Sequence, residues 1–413
     1  MAIRIENIGN IWGIGQPEGG RVPGLRMNQF DSLSNAWLRI EGNRIAAYGS
    51  MDQPDQTQVA HVRDAAGTWL FPSFCDPHTH LVFASSREHE LLMKIDGLGY
   101  EQIAARGGGI LNSARKLHEM SEDDLFTAAL ARLRGLEAKG IGAVEIKSGY
   151  GLTANDELKI LRVIQRLKYE TPMEIKSTFL ALHAIPDSFK SQKAAFVSLM
   201  LNEVLPQVAE EGLADFVDLF CERNYFDLAD MRQLLEKAAI LGMPAKVHVN
   251  QFSSMGGIPL AVELGALSVD HLEVMDQADF EALERGKTIP TALPGCSFYL
   301  GIPFAPAREI MQRNLPLAIG SDFNPGSAPS YNPELNLVLA VIRMRMKPEE
   351  AFNAMTINAA AAMQLENEVG SIAPGKKAHF FFTEALPSLA YFPYYFGEQK
   401  VKEVWLNGKS LNS

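Results

Sequence analysis

No uninterrupted apolar segment of this 413-residue chain approaches the ~18 residues that a bilayer-spanning helix needs. The opening residues, Met1-Ala-Ile-Arg-Ile-Glu-Asn7, also lack the basic stretch and apolar core of a secretory leader. Cysteine is scarce. Cys75, Cys221 and Cys296 are odd in number, far apart and without a Cys-x-x-Cys pair, which points to a reducing compartment. Basic clusters are missing too: the formal charge is −11 and no run of lysine or arginine exceeds a pair, so neither a nucleic-acid footprint nor a polybasic membrane patch is present. These absences predict a soluble, cytoplasmic protein that engages no nucleic acid and no membrane. Any anionic ligand must then be met by a local cation.

What is present is ordinary globular material, 47% hydrophobic and 21% charged, with ample apolar residues for a large core. Residues 1–70 and 366–413 share short β-type pieces separated by Gly, Asp, Asn and Pro clusters, and are expected to pair into one small composite β-sandwich domain. From 71 to 365, short apolar runs alternate with helical stretches, the pattern of βα units around a parallel sheet. Eight such runs stand out, at Phe71–His80, Ile141–Ile146, Ile175–Leu182, Phe216–Phe220, Ala245–Val249, Leu267–His271, Thr288–Leu293 and Leu317–Asp322. Helical stretches include 122–139, 155–168, 196–211, 228–241 and 348–363, two of them opened by Thr153-Ala-Asn-Asp156 and Lys347-Pro-Glu-Glu350. The class is therefore α/β, with a (β/α)₈ TIM barrel preferred. A doubly wound open sheet is the alternative, but no Gly-x-Gly-x-x-Gly follows the first strand, and the triple glycine Gly107-Gly-Gly109 comes after a helical stretch as either a turn or an active-site loop.

In such a barrel, chemistry sits at the C-terminal ends of the strands. Polar residues collect there: His78 and His80 after the first run, Lys147 and Tyr150 after the second, and His183 after the third. Glu222 follows the fourth, His248 and Gln251 the fifth, His271 the sixth, and Asp322 and Asn324 the eighth. His78 and His80 are spaced i, i+2, so one strand face presents both imidazoles. With His248 and the carboxylate of Asp322 they form a mixed N/O set suited to one divalent ion, Zn²⁺ or Fe²⁺, that would supply hydroxide at neutral pH. Asp322 is placed to take the proton of that water, and His271 to act as an acid/base or orienting group. Lys147 raises the alternative of a two-metal site bridged by a modified lysine. No lysine ends the fourth run, so one metal is favoured. His61, His89, His118 and His379 have no such placement and default to surface or satisfied core roles.

The stretches Asp76-Pro-His-Thr-His-Leu-Val-Phe-Ala-Ser-Ser-Arg87, Val144-Glu-Ile-Lys-Ser-Gly-Tyr-Gly151, Lys246-Val-His-Val-Asn-Gln251, Ser268-Val-Asp-His-Leu-Glu273 and Ala318-Ile-Gly-Ser-Asp-Phe-Asn-Pro-Gly326 resemble the amidohydrolase superfamily. Within it they are similar to the branch that opens the ring of 4-imidazolone-5-propanoate with water. The resemblance implies a metal-dependent barrel, a terminal β domain, a carboxylate-bearing imidazolone substrate and a homodimer. It also implies metal ligands His78, His80, His248 and Asp322, and catalytic roles for Asp322, His271 and Gln251. Substrate contacts are expected from Arg87, Tyr150, His183, Gln251, Asn324, Gly326 and Ser327. Arg87 suits a carboxylate because its planar fork binds one bidentately. The chain departs from the pattern at Gln251, where some members carry glutamate, in Leu111-Asn-Ser-Ala-Arg115, and at Ala378-His379 in place of Ala-Asp. Two competing readings are a cytosine- or guanine-deaminase-like enzyme, which would need a pocket for a neutral base, and a catalytically dead relative, which would have lost metal ligands.

Overall fold

The computed structural model describes residues 2–98, 102, 103 and 106–411. Eight parallel strands lie side by side in chain order: β1 (Phe74–Thr79), β2 (Ile141–Lys147), β3 (Glu174–Leu182), β4 (Phe216–Cys221), β5 (Lys246–Val249), β6 (Ser268–His271), β7 (Ile289–Ala292) and β8 (Ala318–Ile319). Their sequences are near-continuous apolar runs because helices cover the sheet outside while side chains fill it inside. Every residue of β1, β2 and β4 to β8 is buried.

The ladder runs unbroken from β1 to β8, but those two outer strands meet without one. A single parallel bridge, Thr79 with Phe323, joins them, helped by His80 N–H to Phe323 O (2.8 Å) and Asp322 N–H to His78 O (3.0 Å). The side chain of Asp76 also accepts from Ser321 N–H (2.9 Å). This thin seam closes the expected (β/α)₈ barrel, and it lies where the sequence placed three metal ligands.

The remaining strands come from both termini. Ala2–Trp12, Ser32–Glu41, Arg44–Ser50, His61–Asp64 and Trp69–Pro72 join Phe380–Thr383, Glu403–Leu406 and Lys409–Ser410 in one mixed, hydrogen-bonded sheet. The ends meet where Phe380–Thr383 pairs antiparallel with Trp69–Pro72. A stack of phenylalanines packs this sheet on the barrel: Phe71 lies 5.2 Å from Phe352 and 5.4 Å from Phe381, and Phe74 lies 5.0 Å from Phe381, between ring centroids.

Helix starts follow the caps in the sequence. Thr153 accepts from Asp156 N–H to open Ala154–Glu170, and Pro348 occupies the first turn of Pro348–Met355. Two helices differ from expectation. The 196–211 stretch begins earlier, at Lys193, and contains a π turn over Met200–Val204, just before Pro206, which has no N–H to give the carbonyl four residues back. The 348–363 stretch breaks at Thr356 (φ −124°, ψ −92°), whose hydroxyl donates to Phe352 O at 2.6 Å, and resumes as Ile357–Ala361. Among the described residues no helix is long and apolar enough to cross a membrane.

Candidate active site

The side chains expected at the strand ends converge. His80, Arg87, Tyr150, His183, His248, Gln251, His271, Asp322, Asn324 and Ser327 line one cleft of about 520 Å³ that opens to solvent. His78 lies fully buried beside it, and Gly326 packs against Arg87, where an added Cβ would stand 2.3 Å from Nη1. The other four histidines stay outside the cleft: His118 pairs with Asp156, His379 bonds Gly142 O and Asn407, His89 sits on the exposed side of Glu90, and His61 is exposed.

At the floor, His80 Nε2 lies 3.3 Å from His248 Nε2, and Asp322 Oδ1 is 3.6 Å from both His78 Nε2 and His80 Nε2. Tetrahedral bonds of about 2.0–2.1 Å separate ligand atoms by roughly 3.3–3.4 Å, so these spacings suit a single small cation. His78 Nε2 is buried and makes no hydrogen bond, an isolated lone pair that a cation would satisfy. The donor set present therefore fits a metal.

Carboxylates behind the imidazoles fix their orientation. His78 Nδ1–H donates to Asp270 Oδ2 at 2.7 Å, and His248 Nδ1 lies 2.9 Å from Asp218 Oδ2, which leaves both Nε2 atoms facing the centre. Asp218 and Asp270 are held by a buried network inside the barrel. Lys147 Nζ donates to Glu145 (2.6 Å) and Asp218 (2.8 Å) and stands 3.7 Å from Asp270, while Lys246 Nζ donates to Glu145 and to Pro77 O (2.8 Å). Lys147 thus has three carboxylate partners and serves as an interior cation; burial opposes its charge, but Asp218, Glu145 and Asp270 hold its pKa above the ordinary value.

Electrostatics divides the imidazoles into two kinds. Burial, with help from neighbouring cations and imidazoles, pushes His78, His80 and His248 well below their ordinary pKa, so each keeps a lone pair for a metal. His183 is pushed down to about 4 by burial, and its Nδ1 faces Gly149 O at 2.8 Å. His271 goes the other way: burial opposes its charge, but the carboxylate of Glu273 at 3.4 Å, with Asp322 and Asp270, raises its pKa. Its backbone is unusual too, with φ at 97° and the next residue, Leu272, at 71°. Burial lifts Asp322 to about 6, near the range where a carboxylate can both take and release a proton at neutral pH.

Arg87 is not presented as the sequence suggested. Its Nε and Nη2 donate to Glu90 at 2.8 and 2.6 Å, so one edge of the fork is already engaged. Glu90 also accepts from Gly109 N–H (2.9 Å), which ties the triple glycine to the arginine and gives that motif a positioning place beside the cleft. Tyr150 rides on a loop stapled by Glu157, whose carboxylate accepts from Gly149, Gly151 and Leu152 N–H at 2.7–2.8 Å. Glu222 does the same for the loop after β5, accepting from Phe252 N–H (2.9 Å) and Ser253 N–H (3.2 Å) next to Gln251. Asn324 Oδ1 accepts from Gly326 N–H (2.8 Å) and Ser327 N–H (2.7 Å), so the Asn-Pro-Gly-Ser segment is a closed turn.

Sequence reasoning missed Asp218, Asp270, Lys246, Glu145, Glu90 and Glu157. A signal for the first four was available: each is a charge inside a short, mostly apolar run expected to be a buried strand, where an unpaired charge would be prohibitive.

The amidohydrolase family model matches residues 210–411. An imidazolonepropionase of Christiangramia forsetii is 47% identical over 411 residues, covering 100% of both chains. That of Flavobacterium johnsoniae is 44% identical with the same coverage, and that of Alkaliphilus metalliredigens is 38% identical over 94% of this chain and 92% of its own. Among solved structures, a triazine hydrolase variant superposes with a TM-score of 0.76 at 14% identity, over 99% of this chain and 94% of that one. Guanine deaminase from E. coli gives 0.72 at 12% identity, over 100% and 99%. These two share the fold.

Proposed function

The chain belongs to the imidazolonepropionases of the amidohydrolase family, and from that premise we infer how its residues divide the work. It is a hydrolase that opens the ring of 4-imidazolone-5-propanoate with water to give N-formimidoyl-L-glutamate. The observation that carries the assignment of roles is the set of close approaches of His80 to His248 and of Asp322 to His78 and His80, at one end of a cleft that also holds Arg87.

His78, His80, His248 and Asp322 would hold one divalent ion, Zn²⁺ or Fe²⁺. When bound, the ion supplies Lewis acidity toward the ring carbonyl and a lowered pKa to water. Arg87 meets the propanoate carboxylate with the Nη end of its guanidinium, its other edge being braced by Glu90. Tyr150 donates a hydrogen bond to a substrate oxygen, while neutral His183, whose Nδ1–H is given to Gly149 O, accepts at Nε2 from a substrate N–H. Gln251 can orient water or substrate but cannot act as a base, so the proton work falls to two groups. Asp322 accepts the proton of the attacking water, and His271, whose charged form Glu273 favours, donates to the oxygen that gains charge. As the ring C–N bond breaks, Asp322 delivers its proton to the leaving nitrogen. Asn324 and Ser327 form the wall of the cleft at its β8 side, with Gly326 packed against Arg87.

We further place the reaction in histidine degradation, in the cytoplasm, and take the working form as a homodimer. The chain divides on this reading into a barrel of residues 71–365 and a composite domain of 1–70 with 366–413. The deciding experiment measures bound metal and turnover of imidazolone propanoate in one preparation. About one equivalent of Zn²⁺ or Fe²⁺ with ring opening is expected; deamination of guanine or cytosine without ring opening would overturn the assignment.

A further inference from the structure

Next to the four ligands, and outside their set, His271, Glu273 and Cys296 bring a nitrogen, an oxygen and a sulfur within 4.8 Å of one another, all three residues buried. His271 ends β6, Glu273 follows two residues on, and Cys296 sits on the short helix Pro294–Leu300 after β7. Glu273 is only 6% exposed. Its Oε1 accepts from Ser297 Oγ–H at 3.1 Å and faces His271 Nδ1 at 3.4 Å. Its Oε2 is buried and accepts no hydrogen bond. A buried carboxylate oxygen without a donor is costly, and a cation is the partner that removes the cost. The hydrolytic roles assigned above make no use of that oxygen, and of the thiol they involve no more than its hydrogen bond to Asp322, which a serine hydroxyl can also give.

We propose that His271, Glu273 and Cys296 form a second site, for a thiophilic divalent cation such as Zn²⁺ or Cd²⁺, and that filling it inhibits the enzyme. On binding, the S–H bond of Cys296 and the Nδ1–H bond of His271 break, both protons leave to solvent, and the electron pairs left on sulfur and on Nδ1 form bonds to the cation. His271 Nδ1 and one Glu273 oxygen supply two further donors, and water completes four-coordination. The sulfur donor selects Zn²⁺ or Cd²⁺ over Mg²⁺ and Ca²⁺. Gln251 Nε2 lies 3.4 Å from Cys296 Sγ, so the cation would also draw on the residue that orients the cleft. With Nδ1 committed to the cation, His271 can no longer turn toward Glu273 and carry the proton the reaction needs. That inhibitory consequence rests on the role given to His271; the binding itself does not.

The test is a titration of the enzyme loaded with one equivalent of Zn²⁺. Cd²⁺ is added while its stoichiometry is followed by equilibrium dialysis and the thiolate-to-metal charge-transfer absorption is recorded. The first centre has no sulfur donor, so that absorption reports on the second site alone. A second equivalent is expected, with the absorption rising and turnover falling in step. Cys296→Ser should lose the absorption and weaken the second equivalent by roughly 100-fold while keeping basal turnover, and Cys75→Ser and Cys221→Ser should keep both. Because a buried serine could disturb folding, Glu273→Gln serves as a second variant, retaining the thiol yet losing the second equivalent. A wild-type stoichiometry that stays at one, or an absorption that survives in Cys296→Ser, would overturn the proposal. A protein that takes up the second cation but never opens imidazolone propanoate would leave the site standing and sink the assigned activity instead.

Discussion

His78 faces the centre with the correct nitrogen because Asp270 holds the other one, and His248 Nδ1 lies 2.9 Å from Asp218 in the matching place. Replacing Asp270 by Asn keeps the shape and removes the charge that makes the imidazole a strong donor, so metal affinity should fall about 10–100-fold while the barrel stays folded. Competition with a chelator measures this directly, and an unchanged dissociation constant would show that Asp270 serves only the interior network. The ligands themselves are less forgiving: His248→Ala or Asp322→Ala should abolish turnover and leave the circular dichroism spectrum intact. Arg87→Ala should act on KM, by roughly 10–100-fold with kcat little changed, since a carboxylate clamp binds ground and transition states alike. An unchanged KM would remove Arg87 from substrate recognition. At this scale the sequence was most legible where chemistry forces a residue type, as in the His-x-His pair. It was silent about Glu90 and Glu157, because a glutamate near a helix start looks the same whether it faces water or staples a loop.

The loop from Gly149 to Leu152 and the helix Ala154–Glu170 behave as one element. Thr153 caps the helix, and Glu157, one turn in, reaches back to three loop N–H groups, so helix start and substrate loop are locked together around Tyr150. Leu152 holds a positive φ of 57°, a conformation that this stapling maintains. Glu157→Ala would leave three buried donors unpaired, each costing about 1–3 kcal/mol. Lower thermal stability and a raised KM are therefore expected together. A variant that melts lower but keeps its KM would mean that Tyr150 is placed by other contacts. The helices and strands were readable from period and caps, and their errors have local causes. Pro206 forces a wider turn inside one helix, and the Thr356 hydroxyl ends another by bonding its own backbone.

The barrel is closed unevenly, and the metal ligands sit on the weak side. Seven neighbouring strand pairs share ladders, whereas β8 and β1 share one bridge and a few hydrogen bonds. His78 and His80 belong to the β1 side of that seam and Asp322 to the β8 side, so a cation bound among them cross-links the edges, with His248 anchoring it to β5. No reading of a single sequence could have located this seam, since strand period reveals that eight strands exist and not which pair fails to complete its ladder. The structure thus couples the cofactor to the integrity of the fold. Removing the metal withdraws the binding free energy from the native state, about 4 kcal/mol when free metal stands near 1,000 times its dissociation constant. The melting temperature should fall by several degrees on exhaustive chelation and recover when Zn²⁺ is restored. Hydrogen exchange gives the sharper readout. Protection lost on chelation should concentrate at His80 and Asp322, whose N–H groups cross the seam, and spare the β2 and β3 amides that lie in complete ladders. Uniform loss of protection around the barrel would show that the cation stabilises the fold as a whole and that the seam has no special dependence on it.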